Sequence, residues 1–535
     1  MAFNPFSYLK DFLLALFSSL LLILSFPKFD LGFLAWIGFL PLLISIYGKR
    51  LSYAFLLSLA SGSLFFLGIF YWILVVPNYT ALHHALLAIY LGSYFGLFGL
   101  TFTFLSNRLS VIPTLFAAPF IWVSLEYIRG NLSFLSLPWA FLGHSQYQYP
   151  VLIQIASLTG TYSISFLIMM VNAALASLLL GVKSPRSSQP IDNLLSPPPR
   201  KGGLGGAKKI FVATTTSLVI LTFIYGWFIL AQPITGNRLK ISLVQGNIEQ
   251  RKKWDPSYAQ EIIRIYKELS QEASKDRPAL IIWPETATPS SIIRDPEIHT
   301  EIKKIARDAF SYLLLGSAQH QKFKEKGAKR PDYFNSAFLI HPEFRFLRNQ
   351  RYDKIRLFPF GEYLPYKEII PWTLINVRES GDYVPGRKFA IFEHPESRFA
   401  ATICWENIFP DLVRQFVKHG AQFVVNMTNE AHFGQTAAPY QLAAISVFRA
   451  VENRIFIIRC ANTGISCIID PNGRIVDRVK NDKGQDIFVR GVLSGWVIPL
   501  ESRTIYTRYG DWLAWIAMVG AVAFLIVAAM KGRER

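Results

Sequence analysis

The chain is poor in cysteine and in charge. Only three of its 535 residues are cysteine: Cys404, Cys460 and Cys467. Three thiols exclude a disulfide scaffold and a thiolate-rich zinc or iron–sulfur centre. Charged residues make up 17%, whereas an average soluble protein has about one quarter. Hydrophobic residues reach 51%, and the mean hydropathy is +0.29. That balance excludes both a disordered chain and an ordinary soluble enzyme. The nine histidines are scattered, the adjacent His83 and His84 cannot share one helix face, and no HExxH occurs. No metal and no cofactor are expected. Despite a net charge of +19, no basic stripe with interleaved aromatics appears, so nucleic acid is not an expected partner. There is no internal repeat. The Pro/Ser/Gly-rich stretch 183–209 lacks a Gly-Lys-Ser/Thr ending and follows no strand, so it reads as a flexible cytoplasmic loop, not a phosphate loop.

What the chain has instead is long apolar runs. They lie near 11–27, 32–47, 52–76, 85–106, 111–128, 156–181 and 210–231, with one more at 512–530. About 20 apolar residues cross a bilayer as a helix. Seven spans are therefore expected in residues 1–235, and an eighth, followed by a cytoplasmic tail, in 512–535. The first run lacks a small-residue cleavage site and leads straight into another run, so it is not a cleaved signal peptide. With the N-terminus inside, the inner segments hold Lys10, Lys49, Arg50, Arg108, Lys183, Arg186, Arg200, Lys201, Lys208, Lys209, Lys531, Arg533 and Arg535. The short outer loops hold only Lys28 and Arg129. That bias places residues 236–511 outside the cytoplasm. Glu126, beside Arg129, is the main ionisable residue within a span. An interfacial ion pair is the expected reading, ahead of a role in positioning a loop.

From residue 238 the pattern changes. Short β-branched runs at 239–246, 279–285, 312–318, 335–341, 399–405, 422–428, 454–461 and 466–471 alternate with helix-like stretches near 256–274, 297–310, 410–419 and 436–453. Such alternation predicts an α/β domain with buried sheets.

Three polar residues stand at or near the ends of these strands: Glu285 in "IIWPE", Lys354 in "RYDKIRLFPFGEYLP" and Cys404 in "ATICWE". A thiol, an amine and a carboxylate can together make an acyl-transfer site. The thiol would attack a carbonyl, the carboxylate would take its proton, and the amine would stabilise the oxyanion. Cys404 precedes an expected helix start, which would lower the thiol's pKa. Each residue also has a plainer reading. Cys404 could be a small buried hydrophobe, and Glu285 with Lys354 a structural ion pair. Cys460 and Cys467 read as packing residues, with a disulfide between them left open.

At these residues the sequence resembles a known superfamily. "WPET", "DKIRLFPFGEYLP", "ICWE" and "ANTGIS…DPNGRI" are similar to motifs of the nitrilase superfamily. The resemblance implies an α-β-β-α sandwich with Glu285, Lys354 and Cys404 as its triad, and Glu362 as a second carboxylate. "LEYIRGNLSFLSLPWAFLGHSQ" (125–146), "TGTYSISFLIMMVNA" (159–173) and "LVQGNIEQRKKW" (243–254) resemble the apolipoprotein N-acyltransferase family. The implied architecture is a multi-span α-helical membrane domain plus a nitrilase-like domain. Trp254, Asn335, Trp405, Glu406 and His432 match positions near the site and are binding or supporting candidates. Two of these depart from the family pattern. Trp405 stands where Tyr is usual, and "NEAHFG" (429–434) replaces "NDAWFG", which puts His432 at a Trp position. His432 reads as a pocket-lining residue, not a base.

The resemblance implies a phospholipid acyl donor, a diacylglyceryl-apolipoprotein acceptor and a monomer in the bacterial cytoplasmic (inner) membrane. The reaction would be ping-pong through a Cys404 thioester. The alternative is a membrane-tethered amidohydrolase of nitrilase type, with water as second nucleophile. A transporter is disfavoured, because the spans hold few ionisable residues and no embedded carboxylate pair.

Overall fold

Apolar stretches this long form helices wherever hydrocarbon surrounds them, because only a helix satisfies its own backbone there. A computed structural model describes residues 5–180, 203–321, 332–343, 350–369, 372, 383–501 and 503–533. Its contacts divide the chain into two units, Met1–Ala231 with Asp511–Arg535, and Gln232–Gly510. Among the described residues, six helices are long and apolar enough to cross a membrane: Leu51–Ile69, Ala81–Ser106, Val111–Asn131, Tyr162–Leu179, Gly205–Leu230 and Trp512–Gly532. A further helix, Pro5–Leu24, covers the first expected run.

The run at 32–47 is not one helix. It is a 3₁₀ turn, Gly32–Leu34, followed by short helices Ala35–Gly38 and Leu40–Ile46. Asn172 supplies the physical reason the break is tolerated. Its Oδ1 accepts the Phe39 and Leu40 N–H groups, both at 2.9 Å, and its Nδ2 donates to the Ala35 carbonyl at 3.0 Å. Backbone groups freed by the break thus find a partner inside the unit. The loop expected at 183–209 is shorter than read. Residues 203–209 already belong to the helix Gly203–Leu230, and 183–202 lie outside the described residues. His83 and His84 sit in the first turn of the helix Ala81–Ser106.

Small residues let the membrane helices approach closely. A Cβ on Gly99 would collide with Ser58 Oγ, and one on Gly92 with Ser63 Oγ. The opposite faces stay apolar and exposed, as with Ile224, Trp227 and Phe228. Glu126 and Arg129 are buried, but they do not form the expected ion pair. Glu126 Oε1 accepts the Leu142 N–H at 2.6 Å. Arg129 donates to the carbonyls of Leu137 (3.2 Å), Trp139 (2.7 Å) and Ala140 (3.3 Å). Both side chains hold the 137–142 loop, and their opposite charges attract each other without a direct contact.

The second unit carries twelve described strands: β1 (Leu239–Gln245), β2 (Leu280–Ile282), β3 (Tyr312–Gln321), β4 (Asp332–Ile340), β5 (Arg351–Asp353), β6 (Phe392–His394), β7 (Ser397–Ile403), β8 (Phe423–Thr428), β9 (Phe456–Ala461), β10 (Cys467–Ile469), β11 (Ile475–Arg478) and β12 (Gly491–Val497). They form two six-stranded sheets, ordered β12-β1-β2-β3-β4-β5 and β11-β10-β9-β8-β7-β6. The central strands of each sheet run parallel and the outer ones antiparallel. Parallel strands covered on both faces explain the near-continuous apolar runs.

The helices Ala259–Ser274 and Pro296–Asp308 lay Ile262, Ile265, Tyr266, Leu269, Ile302 and Ile305 on the first sheet, where they meet Val244, Ile281, Leu313 and Phe338. Ala438–Asn453 covers the second sheet, for example through Ser446 against Arg459 of β9, and Pro410–Lys418 packs on β8 while its Phe416 reaches Tyr352 of β5 in the first sheet. The two sheets face each other across the core. Cys460 Sγ of β9 meets the Ile282 carbonyl of β2 at 3.2 Å, and a Cβ on Gly495 of β12 would press on Ile468 of β10. This is the α-β-β-α sandwich that the sequence resemblance implied.

Candidate active site

Four strand ends of the sandwich unit deliver the site. β7 ends at Ile403, and the chain turns at once through Cys404, whose φ is +57°, into the 3₁₀ turn Cys404–Ile408. A non-glycine residue with positive φ is strained, and such elbows lift a nucleophile clear of its strand. Asn426, opposite Thr402 in register, braces the elbow. Its Nδ2 donates to the Cys404 carbonyl at 3.0 Å and to Thr402 Oγ1 at 3.2 Å, while its Oδ1 accepts from Arg459 at 2.8 Å. Arg459 also pairs with the buried Glu430.

Glu285 lies three residues beyond β2, in a turn where Thr286 has φ +44°. Gly316 of β3 passes so close that a Cβ there would sit 2.5 Å from the Thr286 nitrogen. The Glu285 carboxylate accepts Asn335 Nδ2 at 2.8 Å and the Asn429 N–H at 3.0 Å, and Lys354 Nζ lies 3.9 Å away. Lys354 follows β5. Its Nζ donates to Glu362 at 2.8 Å. Asn335, from β4, bridges the two carboxylates, since its Nδ2 also reaches Glu362 at 3.1 Å. Glu285, Lys354, Glu362 and Asn335 thus form one hydrogen-bonded cluster.

Cys404 is close enough to be coupled electrostatically to this cluster. Burial pushes its thiol well above the ordinary range. Glu285 pushes the same way, Lys354 opposes, and Glu362 and Glu430 add to the rise. The thiol is therefore protonated at rest. This reverses the expectation of a lowered pKa. The element after Cys404 is a five-residue 3₁₀ turn, and the next α-helix starts only at Pro410. Lys354 is raised as well, which for an amine favours the charged form. Burial alone would lower it, but Glu362, a Cys404 thiolate and Glu285 together hold it above its usual value, so it keeps its charge.

Glu406 is fully buried beneath the elbow. It accepts the Ile355 N–H (2.7 Å), the Arg356 N–H (2.9 Å), the Ile403 N–H (2.8 Å) and the Tyr352 hydroxyl (2.8 Å). It ties the loop after Lys354 to the turn after Cys404. Burial raises its carboxyl to about 7. Trp405 closes the same joint, with Nε1 donating to the Arg356 carbonyl at 2.6 Å and its ring edge-on to Phe358 and Phe409. His432 is held down to about 4, chiefly by burial and then by Lys253 and Lys354, so it is a neutral imidazole. Trp254 is 54% exposed, and none of its described contacts is with Glu285, Lys354 or Cys404.

Sequence reading missed several members of the site. Asn429 and Asn462 lie in quoted motifs but were given no role. Asn462 knots three segments, donating to the Ile248 carbonyl and to Asn429 Oδ1 (both 2.8 Å) while accepting the Ile248 N–H at 2.8 Å. Lys253, in "QRKKW", is buried and donates to the Glu285 carbonyl at 2.8 Å. Their signal was position within a motif, since amide and amine side chains carry no periodicity of their own. The disulfide left open between Cys460 and Cys467 is not made, and both thiols are free. Cys467 pairs with Arg459, so the next residue, Cys460, points to the other face of the sheet.

Two sheets backed by helices, with Cys, Glu and Lys at their strand ends and apolar helices on either side in sequence, define a membrane-linked enzyme of the carbon–nitrogen hydrolase class. Residues 240–491 match the family described as Carbon-nitrogen hydrolase, and residues 18–174 match that described as Apolipoprotein N-acyltransferase N-terminal domain. An Apolipoprotein N-acyltransferase of Geobacter metallireducens is 38% identical over 533 residues, covering 98% of this chain and 96% of the relative. One of Chlorobaculum tepidum is 31% identical, covering 98% and 97%. One of Thermotoga maritima is 27% identical, covering 98% and 95%. The chain belongs to the apolipoprotein N-acyltransferase family, and its chemistry is acyl transfer, not amide hydrolysis.

Proposed function

We propose that the protein moves a fatty acyl chain from a phospholipid to the α-amine of the N-terminal diacylglyceryl-cysteine of apolipoproteins, with Cys404 as nucleophile, Glu285 as base and Lys354 as oxyanion cation. The observation that carries this reading is the cluster itself, a half-buried thiol on a strained elbow facing a carboxylate and a permanently charged lysine.

Glu285 takes the Cys404 proton as sulfur attacks the ester carbonyl. A thiol held up in pKa reacts only when its proton has somewhere to go, so the base acts in the same step. Lys354 meets the tetrahedral oxygen, joined by the Trp405 N–H at the free start of the 3₁₀ turn. The carbon–oxygen bond breaks, Glu285 returns the proton to the leaving lysophospholipid, and a thioester stays on Cys404. The α-amine then attacks the thioester, Glu285 takes its proton, the carbon–sulfur bond breaks, and sulfur recovers the proton. Glu362 and Asn335 keep Lys354 and Glu285 in register throughout. The joint made by Trp405, Glu406 and residues 355–366, with residues 429–434, is placed to restrict water while the thioester waits.

In this reading residues 1–235 and 512–535 cross the bacterial inner membrane eight times, and residues 236–511 lie on its outer side as part of a monomer. Fixing the site at that height suits the donor, because each lipid methylene drawn into water costs roughly 0.8 kcal/mol. The test is mass spectrometry of purified protein incubated with one defined phospholipid, followed by a diacylglyceryl peptide. Acyl mass is expected on Cys404 and then on the peptide amine. Free fatty acid with no acylated peptide would overturn the proposal in favour of a hydrolase.

A further inference from the structure

A second lysine lies within the site and is not used by the mechanism above. Lys253 ends the short helix Gln250–Lys253, and its side chain is buried. Its Nζ donates to the Glu285 main-chain carbonyl at 2.8 Å, and among the described residues it makes no ion pair. A buried ammonium with a single neutral partner is costly. Lys354, by contrast, is matched by Glu362 and Glu285. The placement of Lys253 is also deliberate in its connections. Gln250 of the same helix accepts Asn429 Nδ2 at 2.7 Å, and Asn429 in turn holds the Glu285 carboxylate.

The charged or titratable groups around Lys253 are Glu285 from the turn after β2, Cys404 after β7 and His432 after β8. On its own helix, Lys252 turns to Glu261 at 3.5 Å. We propose that Lys253 is a positioning residue of this reaction. It grips the turn that carries the base, and its unpaired charge answers the negative charge that forms on Cys404. The inference rests on the Cys404 reading above. Burial lowers the Lys253 ammonium to about 8, with Glu285 and Cys404 opposing. Its support should therefore be present below that pH and fade above it.

The experiment uses the full-length protein in detergent and follows alkylation of Cys404 by iodoacetamide across pH, mapped by peptide mass. No acyl donor is needed, and Cys460 and Cys467 are buried. Lys253→Met should alkylate about tenfold more slowly than wild type near neutral pH, the effect of one pK unit. The gap should close toward about pH 9.5, where wild-type Lys253 is itself neutral. Lys253→Arg should keep the neutral-pH rate and exceed wild type at the alkaline end, because its charge does not titrate. A wild-type to Met ratio that is constant with pH, or that equals one, overturns the proposal. If Lys253→Met does not fold, an Arg variant matching wild type at every pH overturns it equally. Should the pH signature appear while wild type forms no acyl-enzyme, the Lys253 assignment stands and the acyl-thioester reading falls.

Discussion

Burial first, and neighbouring charges second, shift the titration of Cys404, Glu406 and His432, whereas neighbouring carboxylates keep Lys354 charged. Cys404→Ser should form no trapped acyl-enzyme in intact-mass measurements and should lose at least about 10³-fold in turnover; normal turnover would remove the nucleophile. Lys354→Ala should slow acylation by about 10²-fold or more while leaving phospholipid binding near its wild-type value. Equal losses in single-turnover rate and in binding would make Lys354 a headgroup holder instead. Glu406 gives a pH prediction. Its carboxyl sits at about 7 in the folded chain against an ordinary 4.5. Between those values the native state holds more protons than the unfolded one, so this group makes stability fall as pH rises from about 4.5 to 7. Glu406→Gln should flatten that slope in thermal unfolding. It should also cost about 2–3 kcal/mol near neutral pH, because an amide cannot accept from four donors.

At the scale of elements, the proposed triad could be picked out because Glu285, Lys354 and Cys404 sit in motifs at or near strand ends. The edge strands were not legible. β5 and β6 are three residues long, and β12 carries two glycines, so neither length nor alternation announced them. The break at residues 38–40 was hidden for a related reason. Apolar content says that a segment prefers hydrocarbon, but not whether its helix is continuous, and the residue that makes the break tolerable lies far away, at Asn172. Asn172→Ala should therefore destabilise the membrane unit by about 1–3 kcal/mol, since buried N–H groups of Phe39 and Leu40 lose their acceptor. Thermal unfolding in detergent measures this. No shift would mean that those N–H groups find another partner.

For the whole molecule, the proposed eightfold crossing makes opposite demands on two surfaces. Single cysteines at Ser187→Cys and Asp482→Cys can be probed in spheroplasts with a membrane-impermeant maleimide. The second should label from outside, and the first only after permeabilisation. Labelling of Ser187→Cys in intact spheroplasts would invert the proposed orientation. The positive-residue bias that sets this expectation was fully legible, because it depends on composition and not on side-chain geometry.

One feature of the elbow reaches beyond turnover. A sulfur that stays protonated until substrate arrives is a poor target for peroxide and for exchange with small disulfides, both of which need the thiolate. On the proposed outer side of the membrane, where no reducing pool would repair it, the burial that makes Cys404 slow to ionise would also protect it against inactivation between turnovers.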